Sequence, residues 1–417
     1  MFKWRLTAAV AASLLLFGCS TAPQRETPVL PETLPEKEPV QQPDEAQEPD
    51  EAQDFVAGDI RLRPAQFADL PATRDEDWEQ ALKAFQVSCT TMQHHTLWRE
   101  ACRNVQGMPQ GLGRAFFEGN FEIWQVLAKD SQRGVFTDKG LMTGYFEPIL
   151  RASRVRHGIY QYPIYGVPDD LISVELDSIH PQLKGLRLRG KLQGRKLVPY
   201  DDRKGIVARN DLEKKHVICW ADDPVEAFFL QIQGSGRVLL DNGSLIRIGY
   251  ADQNGHPYKS LGAWLIENAG LTREEMSMQR IKQWVRDNPQ RRQELLNANP
   301  NFVFFAERVG YSDDQGPVGA QGVPLTPMAS VAVDRRYWKL GVPFVTAASQ
   351  SLPAMEFVRP VIAQDTGGAI KGVLRFDYFW GLGNEAGNRA GGQKSDVSAW
   401  VMVPKGQSPA AILAQRL

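Results

Sequence analysis

Apolar residues recur at helical spacing in several stretches of the chain. Trp78, Leu82 and Phe85 lie three or four positions apart, the spacing that places side chains on one face of a helix. Similar patterns follow farther along, and the last is opened by Thr272 and Glu275 in a capping-box arrangement. These patterns predict helices over residues 75–86, 96–105, 111–127 and 272–288.

Shorter runs of apolar and aromatic residues, bounded by Gly, Pro, Asn and Asp, predict strands. Between residues 226 and 233, Phe228, Leu230 and Ile232 alternate with polar residues, so we expect a strand with one buried face. The turn sequence at 241–243, Asp-Asn-Gly, predicts a hairpin. Further strands are predicted over 139–150, 162–165, 196–200, 302–305, 330–334 and 373–380.

The charge balance excludes one class of partner. The 417-residue chain carries 48 Lys and Arg against 49 Asp and Glu, and nothing marks a basic domain of the kind that binds nucleic acid. With 36 Gly and 27 Pro, the composition favours a β-rich enzyme or binding protein over a helical bundle.

The first residues form a targeting signal. Lys3 and Arg5 precede an apolar run from Leu6 to Phe17, and Cys19 follows at a small-residue cleavage site. The run of about 12 residues is shorter than the ~20 needed to span a bilayer. The residues ending at Cys19 resemble a bacterial lipobox, so we expect a signal peptide over 1–18 and lipidation of Cys19. Ser20 then implies sorting to the outer membrane, facing the periplasm; the alternative is an ordinary secretory signal with a chance cysteine.

The next stretch is rich in Pro, Glu and Gln and cannot bury a core. We expect a disordered tether over residues 19–57, and a Pro-rich linker of this size reaches at most about 100 Å. Beyond it, Cys89, Cys102 and Cys219 leave at least one thiol unpaired. Cys89 and Cys102 are close enough in sequence to form a disulfide, but the sequence leaves the pairing open.

The segment from Ala363 to Gly392 combines acids with many glycines and a group of aromatic residues at 378–380. Asp365 and Asp377 lie in it, and Asp377 falls inside a predicted strand, where Asp is disfavoured. A lone Asp is usually a turn or capping residue. Together with Asp334, however, three acids end or interrupt predicted strands of one C-terminal module. The sequence has no metalloprotease, P-loop, EF-hand or nucleophile-elbow motif. The pattern favours acid chemistry.

The sequence contains several longer motifs: Thr143–Pro148, Gln231–Arg237, Arg247–Ala251, Met276–Gln279, Gly319–Pro327, Ala332–Asp334, Gln364–Gly372 and Phe376–Gly381. Together these motifs closely resemble the membrane-bound lytic transglycosylase A family of murein-degrading lipoproteins. The resemblance covers roughly residues 127–403. One departure is the sequence after Asp334, 335–338, where related domains often have a Pro-containing turn.

The resemblance implies a mainly β fold with some helix: a double-psi β-barrel with a second small β domain inserted and a glycan-binding groove between them. We expect the barrel domain over 58–150 and 303–417, with a three-aspartate module in its C-terminal part, and the insert over 151–302. The resemblance also implies that Asp377 is the catalytic acid, supported by Asp365. The candidates for sugar contacts are Thr143, Tyr145, Gln231, Gln233, Ser235, Tyr250, Asp334 and Trp380.

The implied reaction is cleavage of the β-1,4 bond between N-acetylmuramic acid and N-acetylglucosamine, with a 1,6-anhydromuramoyl end as product and no metal or organic cofactor. One acid suffices because the muramoyl C6 hydroxyl replaces water as the attacking group. The expected partners are glycan strands, the outer membrane through the lipid anchor, and murein synthases or scaffold proteins. The alternatives are a non-catalytic peptidoglycan-binding lipoprotein and a cation site formed by the aspartates.

Overall fold

A computed structural model describes residues 53–414, apart from 184, 185, 187, 274, 311 and 313. The predicted signal peptide, most of the predicted tether and the lipidation of Cys19 lie outside these residues. Phe55–Ala57, at the predicted end of the tether, form the first strand. None of the described helices combines the length and the apolar character needed to cross a membrane.

The described residues form strands and helices with the following limits. The strands are β1 Phe55–Ala57, β2 Ile60–Ala65, β3 Phe121–Lys129, β4 Phe136–Thr137, β5 Gly140–Glu147, β6 Ile149–Ser153, β7 Tyr162–Tyr165, β8 Ile172–Val174, β9 Leu188–Gln193, β10 Lys196–Pro199, β11 Val217–Ala221, β12 Ser235–Leu240, β13 Leu245–Gln253, β14 Val303–Glu307, β15 Ser330–Ala332, β16 Pro343–Gln350, β17 Met355–Asp365, β18 Arg375–Leu382 and β19 Lys394–Pro404. The helices are α1 Asp75–Met92, α2 Arg99–Asn104, α3 Gly113–Asn120, α4 Arg203–Val207, α5 Asn210–Lys215, α6 Pro224–Gln233, α7 Leu261–Ala269, α8 Met278–Asp287, α9 Arg292–Asn297 and α10 Gly383–Gly392.

One sheet closes on itself as a barrel. Its ring follows the order β5, β19, β16, β17, β15 and β18, and β18 pairs with β5 again. The β15–β17 and β18–β5 pairs are parallel, and the other pairs in the ring are antiparallel. Large buried side chains fill the interior, and the ring of Phe344 lies 5.0 Å from that of Trp338 and 5.4 Å from that of Phe376. Closure leaves this ring without exposed strand edges.

Helices cover one side of the barrel. Helix α1 packs against β17, and Trp78 and Phe85 of α1 contact aromatic residues of α3 and of the start of β3. A disulfide joins Cys89 of α1 to Cys102 of α2, which settles the pairing that the sequence left open, and Cys219 is a buried free thiol.

A second sheet is formed by the chain between β5 and β15. Its strand order is β14, β13, β12, β6, β11 and β7, and a smaller sheet of β10, β9 and β8 accompanies it. The predicted hairpin is present as β12 and β13, with Gly243 at a φ of 84° in the turn. The predicted mainly β class with a barrel and an added β unit is therefore confirmed, whereas the exact domain limits stay a prediction.

One predicted strand is wrong. Residues 224–233 form helix α6, with Asp223 accepting hydrogen bonds from two backbone amides of the first turn and Gly234 ending the helix at a φ of 78°. Phe228 and Phe229 are both buried, which adjacent residues of a two-sided strand could not achieve on one face. Gln231 and Gln233, predicted to lie on the polar face of a strand, therefore lie in the last turn of a helix.

Several predicted helices have the wrong extent. The helix predicted over 75–86 continues to Met92. The stretch 111–127 forms only a short α3 and then turns into strand β3 at Phe121. The helix predicted from residue 272 begins at Met278, where Ser277 caps it. Thr272 and Glu275 do form their hydrogen bond, with Thr272 N donating to Glu275 Oε2 at 2.8 Å, but they close the preceding turn.

Candidate active site

The two acids of the glycine-rich segment lie on strands that flank β15. Asp365 ends β17, Asp377 lies in β18, and both are register partners of Ala332 on the strand between them. Residues opposite one another in a sheet point to the same face, and neighbouring strands are about 4.8 Å apart. The two Cα atoms are therefore roughly 10 Å apart, with both side chains on one face, so the structure brings the predicted pair together.

The position of Asp377 in a strand is explained by the two faces of β18. Phe376 and Tyr378 are fully buried in the barrel core. The alternate residues, Arg375, Asp377 and Phe379, face the other side, where Asp377 is half-buried. An acid is tolerated here because it points away from the apolar interior of the barrel.

Thr143 on the neighbouring strand β5 holds the carboxylate of Asp377. The Thr143 hydroxyl donates to Asp377 Oδ1 at 2.5 Å, and Thr143 Oγ1 accepts from Arg375 Nη2 at 3.0 Å. The second terminal nitrogen of Arg375 donates to the carbonyl of Phe376. Arg375 was missed from the sequence; its spacing of two from Asp377 in a predicted strand was the signal that could have found it.

Burial raises the pKa of Asp377 to about 6. The hydrogen bond from Thr143 and the positive charge of Arg375 act in the opposite direction, and the negative charge of Asp365 adds a smaller upward contribution. Desolvation penalises the charged carboxylate more than these partners stabilise it. A substantial fraction of Asp377 therefore carries a proton in mildly acidic solution.

Asp365 is held by two donors. Tyr145 donates its hydroxyl to Oδ2 at 3.1 Å, and the backbone amide of Ala320 donates to Oδ1 at 2.9 Å. Burial raises the pKa of Asp365, while these donors lower it. Burial and the charges of Asp365 and Asp377 raise the pKa of Tyr145 well above its ordinary value, so its hydroxyl remains a donor.

An apolar wall surrounds the acids on the side of the barrel. Tyr145 and Phe379 lie with ring centroids 5.2 Å apart, and both belong to a buried cluster with Leu325, Ala332 and Ile370. Leu325 comes from the segment 316–327, which also supplies the amide of Ala320. This low-dielectric wall is the physical source of the raised carboxyl pKa values.

The amides predicted to bind sugars have contacts inside the protein. Gln233 accepts from the amide of Phe146 at 3.0 Å, next to Tyr145 on strand β5. Gln231 accepts from Arg203 at 2.8 Å and from the amide of Val303 at 3.3 Å. Both side chains therefore fix α6 against its neighbours, and their sugar-binding role stays a prediction.

The remaining predicted contact residues lie in three parts of the fold. Ser235 and Tyr250 are half-buried on the paired strands β12 and β13 of the second sheet. Trp380 is on the core-facing side of β18 and donates to Gln393 at 2.7 Å. Asp334 is buried and accepts from Gly372 N at 2.8 Å and from Arg336, contacts that hold its pKa low although burial opposes them. Asp334 therefore has a structural set of contacts.

In the part of the chain that the structure describes, no group of three or more His, Cys, Asp or Glu side chains is arranged to hold a metal ion. Asp365 and Asp377 instead contact a hydroxyl or backbone donor each, as hydrogen-bonded carboxyl groups do.

Two family models match this chain. The MltA specific insert domain matches residues 141–306, and the 3D domain matches residues 329–403. The second match includes Asp334, Asp365 and Asp377. The first includes Thr143 and Tyr145, so the residues around Asp377 come from both matched regions.

Similar proteins agree with these matches. The membrane-bound lytic murein transglycosylase A of Escherichia coli K12 is 32% identical over 293 residues, covering 67% of this chain and 69% of the relative. The Vibrio cholerae protein of the same name is 32% identical over 268 residues, covering 62% of this chain and 64% of the relative.

Solved structures show the same fold. The structure of MltA from Neisseria gonorrhoeae is 34% identical, with a TM-score of 0.72 and coverage of 86% of this chain and 94% of that one. E. coli MltA with bound chitohexaose is 26% identical, with a TM-score of 0.60 and coverage of 82% and 95%.

Proposed function

The chain belongs to the membrane-bound lytic murein transglycosylase A family, and from this membership we propose that it cleaves peptidoglycan between N-acetylmuramic acid and N-acetylglucosamine and leaves a 1,6-anhydromuramoyl end. Its enzyme class is that of the family, a lytic transglycosylase. The observation that carries the proposal is the half-buried Asp377, whose pKa of about 6 suits a group that both gives and takes a proton.

One acid accounts for the whole reaction. Protonated Asp377 donates its proton to the glycosidic oxygen as the bond from that oxygen to the muramoyl C1 breaks, and the bonding electrons leave with the oxygen. The resulting carboxylate then takes the proton of the muramoyl C6 hydroxyl, whose oxygen bonds to C1. No water is consumed, and Asp377 ends protonated as it began. The intramolecular attack benefits from the proximity of C6 and C1 within one sugar.

Asp365 supports Asp377 in this proposal. It is held by Tyr145 and Ala320, and its negative charge raises the pKa of Asp377. A charge at this position also favours the positive charge that develops on the sugar when the glycosidic bond breaks.

The substrate is a glycan strand. The E. coli relative has been solved with chitohexaose, a β-1,4-linked oligosaccharide. We propose that a murein strand lies along the face of β18 and β5 that carries Asp377 and Thr143, where Tyr145 and the residues of β12 and β13 are candidates for further contacts. We also propose attachment to the outer membrane through Cys19, facing the periplasm, and contacts with murein-synthesising or scaffold proteins.

Mass spectrometry of murein digested by the purified protein tests the proposal. Muropeptides with 1,6-anhydromuramoyl ends are expected. Products with reducing ends would identify a hydrolase, in which both Asp365 and Asp377 act directly. Glycan binding without any product would identify a non-catalytic binding protein.

A further inference from the structure

The guanidinium group of Arg375 is fixed beside the proposed acid without contacting it. Its two terminal nitrogens donate to different acceptors, the hydroxyl of Thr143 at 3.0 Å and the carbonyl of Phe376. Arg375 lies two residues before Asp377 on the same face of β18, and Thr143 is the register partner of Asp377 on β5. The contact to Thr143 is thus a diagonal one across two parallel strands.

The hydrogen-bond directions in this group are constrained. A guanidinium group can only donate, and a threonine hydroxyl has a single proton. Thr143 Oγ1 accepts from Arg375, and its single proton is donated to Asp377 Oδ1 at 2.5 Å. A hydroxyl that accepts from a cation is polarised, which makes it a better donor and a poorer acceptor.

The position of the acid proton follows from this polarity. If Oδ1 of Asp377 carried the proton, it would face the proton of Thr143, or Thr143 would have to rotate and accept it. Either arrangement is disfavoured while Arg375 donates to the same hydroxyl. The proton of the carboxyl group is therefore directed to Oδ2. In the contact described for Asp377, the donor is hydrogen-bonded to Oδ1 and not to Oδ2.

We propose that Arg375 is a positioning residue that acts through Thr143 to keep the proton of Asp377 on Oδ2, ready for transfer to the glycosidic oxygen. This inference rests on the proposed function, in which Asp377 must donate a proton first. It assigns a role in the reaction to a residue that itself touches neither the carboxyl group nor the bond to be broken.

The charges around Asp377 come from several strands. Arg375 lies on β18 and Asp365 on β17, while Tyr145 on β5 carries its proton and is neutral. On β19, Lys394 is opposite Thr143 and Asp396 is opposite Leu141, and both are exposed to solvent. Arg375 is the cation that lowers the pKa of Asp377. Its removal therefore raises that pKa.

The test compares turnover and pH dependence in Arg375→Met, Arg375→Lys and Thr143→Val, using purified murein and counting chain ends released. Arg375→Met is expected to lower kcat by roughly tenfold in acidic solution, a part of the ~10²–10⁴-fold contribution of a positioned acid, with little change in KM. The alkaline limb of its kcat/KM profile should move to higher pH. Arg375→Lys retains the charge and should restore most of the wild-type pH profile.

The double variant distinguishes action through Thr143 from a general effect. In the Thr143→Val background, Arg375→Met should lower kcat by less than about twofold, because the hydroxyl that it orients is gone. The same tenfold loss in both backgrounds would overturn the proposal, and so would a wild-type kcat and pH profile in Arg375→Met. Thermal unfolding of each variant shows that a lower kcat does not come from a smaller folded fraction. If Arg375→Met does not fold, Thr143→Val still decides, since wild-type turnover in that variant would refute a role exerted through the Thr143 hydroxyl.

The control is Arg114→Met. Arg114 is a half-exposed residue of α3 that pairs with Glu118 at 2.7 Å, and its removal should change neither kcat nor the pH profile. Failure of the proposed function is recognised separately, from the products of the wild type. Reducing ends would refute the anhydro reaction, but the variants would still report on Arg375, because a hydrolase also needs a positioned acid.

Discussion

At the scale of single residues, the candidate site depends on keeping a carboxyl group where its charged form is disfavoured. Asp377 was predictable because an Asp inside an aromatic strand contradicts strand propensity, and such conflicts mark functional positions. Arg375 was missed: its spacing indicates the same strand face as Asp377, but its hydrogen bond to Thr143, 232 positions away in sequence, appears only in the fold. Local pattern identifies the unusual residue, and the fold identifies its partners.

The raised pKa gives wild-type activity a defined pH dependence. The free enzyme must hold Asp377 in its protonated form, so kcat/KM should fall as the pH rises through about 6, where this carboxyl group loses its proton. The decrease should approach about tenfold per pH unit above that value. Initial rates on solubilised murein at constant ionic strength measure this decrease in kcat/KM. A kcat/KM that does not change from acidic to neutral pH would contradict the assignment of Asp377 as the acid.

Asp377→Asn should abolish cleavage and increase stability at neutral pH. Because folding raises the pKa of Asp377 from an ordinary 3.8 to about 6, the folded state binds more protons in this interval, and wild-type stability falls as the pH rises through it. At neutral pH the cost is at most about 3 kcal/mol. Asn retains an acceptor for Thr143 and carries no charge, so the variant avoids this cost.

Urea unfolding at several pH values measures this difference. The variant should be more stable than the wild type at neutral pH, and the two should converge below about pH 4, where Asp377 is protonated in both states. Asp396→Asn, an exposed position on β19, serves as the control and should change stability by less than about 0.5 kcal/mol. Equal stability of Asp377→Asn and the wild type at all pH values would show that burial does not perturb this carboxyl group.

At the scale of elements, the sequence predicted where helices and strands lie better than which of the two a given stretch forms. The α6 stretch alternates at Phe228, Leu230 and Ile232, which favours a strand, but Asp223 before Pro224 is a helix start and Gly234 is a helix end. The end signals were the better guide, because they reflect the hydrogen bonds that a helix terminus needs, whereas short apolar runs fit both structures. The consequence for function is that Gln231 and Gln233 secure a helix.

The segment 316–327 is the element that completes the site, and Gly319→Ala should disturb it. A Cβ at this position would lie 2.6 Å from the carbonyl oxygen of Gln364 and 2.6 Å from a methyl group of Leu325. The segment must shift to relieve this overlap, which moves the amide of Ala320 away from Asp365. We expect stability to decrease by about 1–3 kcal/mol and kcat/KM to decrease by roughly tenfold or more.

Gly119→Ala is the matched control for this prediction. Gly119 lies in helix α3, and a Cβ there has no neighbour within 4 Å. Ala has a higher helix propensity than Gly, so this variant should be more stable by up to about 1 kcal/mol and should retain full activity. Thermal unfolding and murein digestion of the two variants side by side test the contrast, and wild-type behaviour of Gly319→Ala would show that the segment adapts without cost.

At the scale of the whole molecule, the site exists because distant parts of the chain pair in one ring. Thr143 and Asp377 are register partners across the parallel β5–β18 pair. Pairings over such separations leave no local trace in the sequence, so strands could be predicted individually but their order could not. The barrel itself was expected only from resemblance to a family, and the structure supports that expectation through ring closure.

The chain leaves the barrel at a buried charge cluster. Glu147, the last residue of β5, is 2% exposed and faces Arg237 of β12 and Arg247 of β13, at 3.1 and 3.7 Å. Both guanidinium groups also donate to the carbonyl of Gln315, the residue just before the segment 316–327. One carboxylate therefore joins the barrel, the second sheet and the segment that holds Asp365.

Glu147→Ala should destabilise the whole molecule by about 3–5 kcal/mol, because it removes the negative charge that two buried guanidinium groups face. Glu118→Ala removes the partner of Arg114 in an exposed pair on α3, at 2.7 Å, and should cost only about 0–1 kcal/mol. Urea unfolding midpoints compare the two variants. Both substitutions remove a carboxylate from an ion pair, but only the carboxylate of Glu147 lies between the two sheets. Glu147→Ala should therefore also lower murein cleavage under conditions where the variant remains folded. Equal midpoints for the two variants would show that Glu147 contributes no more than a surface ion pair, and that apolar packing alone sets how the second sheet is placed against the barrel.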